Sequence, residues 1–247
     1  KKLSFGDVKS TIKRHAGRAG TILFLNILTQ IVSVLGFIFI AKIYEVSLVG
    51  EYLTYVAYVS ILSIVSTGYF EQALYVEKRK RFRRLLKIMP ILFSFLVAAL
   101  SWLTLSLLSI DFSVFIAISI ISSAIDTTTR SINLINNKLI FMGIINLIKS
   151  PFIPTLLILF GYYFVVDIYY MVFIHAITSL VVSVVYYSIS NFISKESIFP
   201  FGGIKFIWLN SIALSRKYKR FFGYSMFGQL LDTLAMKAPL IIANKYF

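Results

Sequence analysis

The chain of 247 residues is apolar and strongly basic, with 58% hydrophobic residues, a mean hydropathy of +0.84 and a formal net charge of +15. Ordinary soluble domains are about 45–50% apolar, so this composition argues against a soluble globular protein and favours a membrane protein. The sequence contains no cysteine, which excludes disulfides, thiolate metal sites and cysteine nucleophiles.

Seven stretches are long and apolar enough to predict membrane-spanning helices, because a span needs about 20 mostly apolar residues. Six are complete, and the seventh reaches almost to the C-terminus. The predicted helices cover residues 19–41, 52–76, 88–108, 112–135, 140–161, 168–190 and 221–244. The predicted fold class is therefore an all-α membrane protein, a polytopic helical bundle.

The same pattern predicts three regions along the chain. They are a first six-helix lobe at 1–190, a cytoplasmic linker at 191–220 and the first helix of a second lobe at 221–247. Within the linker, residues 204–215 are either a short helix along the membrane interface or an irregular segment.

The basic residues alternate along the chain in a way that indicates topology. Segments 1–18, 76–87 and 191–220 are rich in lysine and arginine, whereas the loops at 109–113 and 161–167 contain neither. The positive-inside rule then places the N-terminus in the cytoplasm. We expect most of this charge to contact lipid headgroups and do not expect a nucleic-acid partner.

Predicted helices one and seven resemble each other at a fixed offset. The aligned pairs are Gly20 with Gly223, Phe24 with Phe227, Leu28 with Leu231, Ile38 with Ile241 and Lys42 with Lys245. Parallel repeats of this kind are common in transporters. The pattern predicts that the chain is the N-terminal part of a protein roughly twice as long.

Helix four carries the clearest polar stripe. Its members recur at spacings of three and four: Ser119, Ser122, Asp126, Thr129, Arg130, Asn133 and Asn137. A charged side chain at the centre of a spanning helix costs about 2.5–3.5 kcal/mol on insertion scales, so this stripe should face protein or water. Either Asp126 and Arg130 form an ion pair that only neutralises itself, or the stripe lines a hydrated cavity, which its hydroxyl and amide groups favour.

Other polar residues within the predicted spans are further candidates for cavity lining or ion coupling. They are Gln30, Glu71, Asn133, Asn146, His175 and Asp232. Glu71 has an alternative interpretation as a residue at the cytoplasmic edge. His175 has one as a hydrogen-bonded packing residue, although its pKa range also suits proton coupling.

Two lysines within the spans are candidate cations. Lys149 is about 15 Å into helix five, near the bilayer midplane, and needs a partner or a water-filled path. Lys237 is nearer the outer face and can snorkel. Pro151 and Pro154 follow Lys149 closely, and we expect them to kink helix five and free two carbonyl groups. The alternative is an ordinary kink with Lys149 paired to an acid such as Asp126.

Motifs for catalysis or cofactor binding are absent from the sequence. There is no phosphate-binding loop, and two histidines without cysteine nearly exclude a His/Cys metal site. No paired carboxylates or nucleophile–base arrangement stands out. We therefore expect no enzymatic activity, no metal and no cofactor.

Three stretches of the chain resemble one family of transporters. An apolar helix is followed by AKIY at 41–44 and by Gly-Glu-Tyr at 50–52, where helix two begins. Residues 137–162 and 219–247, the latter with Pro239, also follow the family pattern. The chain resembles the Wzx-type polysaccharide transporters, or O-antigen flippases, of the multidrug/oligosaccharidyl-lipid/polysaccharide exporter superfamily. The resemblance implies two six-helix lobes around a central cavity, of which this chain would be one lobe and the next helix.

The resemblance also implies a function. Such proteins flip an oligosaccharide on undecaprenyl pyrophosphate across the bacterial cytoplasmic (inner) membrane, for lipopolysaccharide O-antigen or capsule biosynthesis. Arg130, Lys149 and Lys237 would bind the pyrophosphate, and Asp126 and Asp232 would position these cations or bind a coupling proton or sodium ion. A polysaccharide polymerase and a chain-length regulator would be partners.

Three alternatives remain from the residues themselves. A drug or cation antiporter of the same superfamily would want acids in its cavity and few cations. A membrane polysaccharide polymerase would need a large extracytoplasmic loop, and the loops at 109–113 and 161–167 are short. A scaffold without transport activity would not need the stripe of helix four.

Overall fold

The computed structural model describes residues 5–68, 70–77, 79–164, 167–194, 216–218 and 221–246. These residues form helices and turns but no strands, and nine α-helices of seven or more residues have bounds within them. They are α1 (Phe5–Ile43), α2 (Val46–Ser66), α3 (Phe70–Val76), α4 (Lys80–Leu107), α5 (Ser113–Ile135), α6 (Leu139–Lys149), α7 (Phe152–Tyr163), α8 (Ile168–Ser194) and α9 (Met226–Tyr246), which a π-helical turn, Phe221–Ser225, precedes. The predicted interfacial helix at 204–215 lies outside the described residues.

Five segments of the described residues are long and apolar enough to cross a membrane. They are Gly20–Ile43, Val46–Ser66, Phe82–Leu107, Leu139–Tyr163 and Ile168–Ile193. The prediction of six complete spans and a seventh was therefore too high by this criterion. The two missing spans correspond to α5 and α9, which have sufficient length but whose polar and charged residues lower their hydropathy.

The predicted second helix is two helices in the structure. α2 ends at Ser66, and Gly68 adopts a φ of 52°, in the left-handed region where glycine carries no steric penalty. The N–H of Gly68 donates to the Val65 carbonyl at 3.0 Å and closes the helix end. α3 then changes direction, which buries Phe70 and Leu74 against α4.

α5 is the central helix of the bundle. It packs against α4 and α8 along most of its length and against α2. Its apolar side chains Ile116 and Ile120 are completely buried in the main hydrophobic cluster, together with Tyr55 of α2 and Met171 of α8. The neighbouring helices therefore shield the most polar helix of the bundle from lipid, which explains why a helix with this composition is tolerated there.

The predicted fifth helix is interrupted in the structure. α6 ends at Lys149, and α7 begins at Phe152 after Pro151. Pro151 has no N–H to donate to the carbonyl of Leu147 one turn earlier. The Ser150 hydroxyl donates to that carbonyl at 3.1 Å instead.

Pro154 has a different role from the kink that we predicted. It stands in the first turn of α7, where a backbone N–H has no helical acceptor, so its ring interrupts no hydrogen bond. It packs against α1 instead. A Cβ atom added to Gly36 would lie 2.6 Å from the Pro154 Cβ, so the two helices approach closely only because residue 36 lacks a side chain.

α1 lies along one flank of the bundle, beside α6 and α7. None of its residues from Gly20 to Phe39 is buried. Leu23, Phe24 and Val34 are each more than half exposed. In a membrane, such a surface is suited to contact with hydrocarbon or with further apolar helices.

Candidate functional site

Two cations of the bundle share one carboxylate. The Arg130 Nε donates to Asp126 Oδ2 at 2.8 Å, one turn along α5, and the Lys149 ammonium donates to Asp126 Oδ1 from the end of α6. The side chains of Asp126 and Lys149 are 15% and 17% exposed, and that of Arg130 is 49% exposed. Asp126 forms both ion pairs that the sequence suggested, one with Arg130 and one with Lys149. The cluster of these three residues has two cations and one anion, so it keeps a surplus positive charge.

An aromatic ring holds the other side of Lys149. Its ammonium lies over the ring of Tyr186 of α8, 4.8 Å from the ring centroid. A cation at this distance is attracted by the negative face of the ring. Lys149 is thus bound by one carboxylate and one π face, although it comes from a helix end next to a break.

The structure places Asn133 in the α5–α8 interface and not in a cavity wall. Its side chain is completely buried. The amide Nδ2 donates to the Tyr186 hydroxyl at 3.0 Å, and the Oδ1 accepts from the Ser190 hydroxyl at 2.8 Å. Asn133 lies on the same face of α5 as Asp126, but α8 covers that face at this depth, so Asn133 lines none of the three cavities described below.

In the part of the chain that the structure describes, three cavities each border at least one residue of the cluster. The central cavity, about 220 Å³, lies between α2, α5, α7 and α8. Its walls include the cluster and many hydroxyl groups: Ser119, Ser122, Ser123, Asp126, Arg130, Lys149, His175, Thr178, Ser179 and Ser183. Polar and charged side chains thus make up much of its wall, together with apolar ones such as Val59 and Phe152.

The side cavity, about 680 Å³, opens towards α1. Its polar lining comes from α1, from the residues near the α6–α7 break and from α5 and α8: Asn26, Thr29, Gln30, Ser33, Arg130, Asn146, Lys149, Ser150 and His175. Gln30 and Asn146, which the sequence singled out, thus face the same space as the two cations. The side-chain oxygen of Asn146, Oδ1, is buried and accepts no hydrogen bond.

The α9 cavity, about 300 Å³, lies between α2, α3, α5 and α9. Its polar lining consists of Ser63, Thr67, Glu71, Gln72, Ser123, Thr127, Arg130, Ser131 and Gln229. Arg130 stands in the walls of the central, side and α9 cavities alike. Arg130 therefore borders each of these spaces while Asp126 holds its Nε.

Glu71 is a buried acid of the α9 cavity. It lies in α3, outside the five candidate spans, and is 4% exposed. The Thr67 hydroxyl donates to its Oε1 at 3.1 Å, whereas its Oε2 has no hydrogen-bond partner. Burial raises the pKa of this carboxyl, although the hydrogen bonds it accepts act against that rise. Burial in a cavity wall and a position beyond the candidate spans are compatible with both interpretations, cavity lining and the cytoplasmic edge.

His175 lies between the central and side cavities. Its Nδ1 and the Tyr52 hydroxyl are hydrogen-bonded at 2.6 Å, and Tyr55 packs edge-on against its ring at 5.4 Å between centroids. The Tyr55 hydroxyl is in turn 2.5 Å from the Ser119 hydroxyl. The imidazole is therefore both packed, as one interpretation predicted, and placed in a cavity wall.

Two predicted residues are not brought to the cluster. Asp232 and Lys237 lie on α9, and neither lines any of the three cavities. Asp232 is exposed and Lys237 is half-buried. The residue of α9 that does reach a cavity is Gln229, which stands about one turn before Asp232.

The sequence contained a pattern that would have identified Tyr186. His175, Ser179 and Ser183 form a polar stripe on α8, and the same spacing of three and four continues through Tyr186 and Ser190. Tyrosine is usually counted as apolar in such a stripe, so the position of Tyr186 beside the two cations was not predicted. Contacts between helices that are distant in the chain, such as the Tyr52–His175 hydrogen bond, leave no periodic pattern in the sequence of either helix.

Among the described residues, no group of three or more histidine, cysteine, aspartate or glutamate side chains is arranged to hold a metal ion. In comparisons with protein-family models, with curated proteins and with solved structures, no match to this chain is found.

Proposed function

We propose that this chain is one lobe, with the first helix of a second, of a membrane flippase. Its substrate would be an oligosaccharide linked through pyrophosphate to a polyprenol such as undecaprenol. The observation that supports this proposal is the surplus positive charge of Asp126, Arg130 and Lys149, all three of which line the central cavity. The transport direction would be from the cytoplasmic to the outer leaflet of a bacterial inner membrane.

The electrostatics favour an anionic substrate. An uncompensated cation in a low-dielectric interior is costly, and a chain that needed only stability would do better with apolar residues. A pyrophosphate entering the cavity would supply the missing negative charge. Arg130 offers a planar fork of donors for phosphate oxygens, and Lys149 offers a point charge.

The other parts of the substrate fit the remaining space. The side cavity presents amides and hydroxyls from α1 and α6, including Asn26, Gln30 and Asn146, and such groups match the hydroxyls of a glycan. The polyprenyl tail needs no protein and would stay in the bilayer. Alternating access would follow from rocking of this lobe against a second lobe.

Glu71 is the residue that we assign to ion coupling. A buried carboxyl with one unpartnered oxygen can exchange a proton, or bind sodium, with less rearrangement than a paired one. It stands in the α9 cavity, whose wall also contains Arg130. Protonation at Glu71 would then alter the field at the cation that binds the substrate.

The charge balance disfavours a drug or cation antiporter, because the cavity cluster has more cations than acids. Delivery of the flipped glycan to a polymerase and a chain-length regulator belongs to the same proposal. Neither partner binds at the cavity cluster in this account.

Alanine substitution of the cavity cations tests the function. Arg130→Ala and Lys149→Ala in the full-length protein should abolish export of lipid-linked glycan in cells in which the variant still inserts and accumulates. Lys42→Ala and Arg216→Ala are matched controls, because both cations are exposed and line none of the three cavities. Normal export in both cavity variants would contradict the proposal.

A further inference from the structure

The surplus charge of the cluster raises a physical problem. Arg130 and Lys149 share Asp126, and the Lys149 side chain is long, flexible and only 17% exposed. A lysine at the end of a helix next to a break can swing towards water. Something must keep the ammonium in the cavity without neutralising it.

Tyr186 meets this requirement through its ring. The ring is 1% exposed and lies under the Lys149 ammonium at 4.8 Å. A second carboxylate in this place would complete the charge balance and would then compete with an incoming anion. A π face attracts the ammonium while leaving its charge available.

The orientation of this ring is fixed from behind. The Tyr186 hydroxyl accepts from Asn133 Nδ2, and the Asn133 Oδ1 accepts from Ser190. Asn133 and Ser190 are 0% and 1% exposed. Phe141 of α6 also packs against the ring, with centroids 6.4 Å apart. The three-residue relay Ser190–Asn133–Tyr186 therefore ties the ring to α5 and α8.

We infer that Tyr186 is a positioning residue of the anion site. Its ring, held by Asn133 and Ser190, keeps the Lys149 ammonium in the cavity as an unneutralised cation for a phosphate-bearing substrate. This inference rests on the proposed function for its substrate, but the placement of Lys149 by Tyr186 is a separate claim.

Transport kinetics test the role of the ring. We would measure transbilayer movement of a polyprenyl-pyrophosphate oligosaccharide by the full-length protein in proteoliposomes. Tyr186→Leu should raise KM about tenfold, the range that a desolvated cation–π contact supports, while kcat stays within about twofold. Tyr186→Phe, which keeps the π face but loses the hydrogen bond from Asn133 Nδ2, should raise KM by less than Tyr186→Leu does. Tyr187→Leu, on the next residue of α8, is the matched control.

A chemical measurement separates the two claims. Mass spectrometry after brief treatment of the purified protein with a small amine-reactive reagent should show faster labelling of Lys149 in Tyr186→Leu, and unchanged labelling of Lys42. Tyr186→Met, which fills the space without a π face, serves if the leucine variant does not fold. Unchanged labelling of Lys149 in these variants would overturn the inference. If labelling changes but Lys149→Ala transports normally, the positioning stands and the proposed function fails.

Discussion

Asp126 determines how much charge the cavity presents, because one carboxylate is shared by Arg130 and Lys149. Each cation is restrained by the same group, and neither is fully neutralised. Asp126 should therefore stabilise the fold but weaken the binding of an anion. If Asp126 paired with Arg130 alone, these two opposite effects would not be expected.

Asp126→Asn should separate these two effects. The variant leaves two neighbouring cations without their shared partner, which we expect to lower the free energy of unfolding by about 1–3 kcal/mol, since part of the cluster is solvated. The same change should tighten binding of pyrophosphate to the purified protein. Thermal unfolding in detergent and calorimetric titration measure the two quantities, and a weaker pyrophosphate affinity would contradict this account.

Glu71→Gln tests ion coupling at a single residue. Burial raises the pKa of the Glu71 carboxyl, so ionisation destabilises the fold, and stability should decrease as the pH rises from the ordinary carboxyl range through the raised pKa. Glutamine resembles the protonated acid and should remove this dependence. It should also make transport insensitive to an imposed proton or sodium gradient.

Glu51→Gln on α2 provides the control for Glu71→Gln. Proteoliposome transport with and without a gradient gives the readout. If Glu71→Gln responds to the gradient as the wild type does, coupling does not occur at Glu71.

Between elements, the closest approach of α1 to α7 depends on Gly36 and Pro154. A Cβ atom at residue 36 would overlap the proline ring, with a Cβ–Cβ distance of 2.6 Å. Gly36→Ala should therefore force the helices apart and cost about 1–3 kcal/mol, as overpacking does. The side cavity, which lies between these helices, should change with it.

Gly20→Ala is the matched control in the same helix. No atom lies within 4 Å of the added Cβ, and alanine is the better helix former, so this variant should be neutral or slightly stabilising. Thermal unfolding of both variants makes the comparison. Equal melting temperatures would show that α1 and α7 do not need this contact.

A second contact between elements is centred on Glu77, just after α3. Glu77 is 3% exposed, and its Oε2 accepts from the Lys217 ammonium at 2.6 Å and from the Tyr218 hydroxyl at 2.8 Å. The N–H of Arg79 donates to its Oε1 at 3.0 Å. Tyr218 also packs in the apolar cluster of α3 and α4. Glu77 thus holds Lys217 and Tyr218 against α3 and α4.

Glu77→Gln should loosen this contact in a pH-dependent way. Burial alone would raise the pKa of Glu77, but the hydrogen bonds from Lys217, Arg79 and Tyr218 outweigh it and lower the pKa from 4.5 to about 2. A lowered pKa contributes stability at neutral pH that is lost as the pH falls from 4.5 towards 2.

We expect Glu77→Gln to cost about 1.5–3 kcal/mol at pH 7, the value of hydrogen bonds to a charged group, and less as the pH decreases towards 2. Melting temperatures of the variant and the wild type, measured from pH 7 to pH 2, give this difference. The exposed Glu45→Gln is the control. A constant difference from pH 7 to pH 2 would argue against the ionised carboxylate as the cause.

The sequence was sufficient for the features that depend on local pattern. The helical class follows from hydropathy, and the stripe of α5 identified Asp126 and Arg130 because charges within apolar helices are costly wherever they occur. The break of α2 at Gly68 and the early start of α4 depend on turn geometry and on packing between α3 and α4, which a hydropathy window does not contain. Asn133 and Tyr186 required knowledge of which helix covers which face of α5.

In the whole bundle, the polar groups around Asp126 lie beside a buried apolar cluster, and many large apolar side chains are exposed on the outside. α5 carries the cluster and is enclosed by α2, α4 and α8, whereas α1 presents a largely exposed apolar surface. The three cavities meet around Arg130. Exposed apolar side chains are suited to a membrane, and polar cavities inside the bundle are what the proposed passage of a charged headgroup requires.

Transbilayer movement by the full-length protein in proteoliposomes tests the central claim most directly. The wild type should move a polyprenyl-pyrophosphate oligosaccharide between leaflets but not an analogue in which a neutral linkage replaces the pyrophosphate. Loss of one ionic contact to the substrate should reduce the rate in Arg130→Ala and Lys149→Ala by about tenfold or more, with Lys42→Ala unchanged. Equal rates for charged and neutral substrates, or wild-type rates in both cavity variants, would contradict the account.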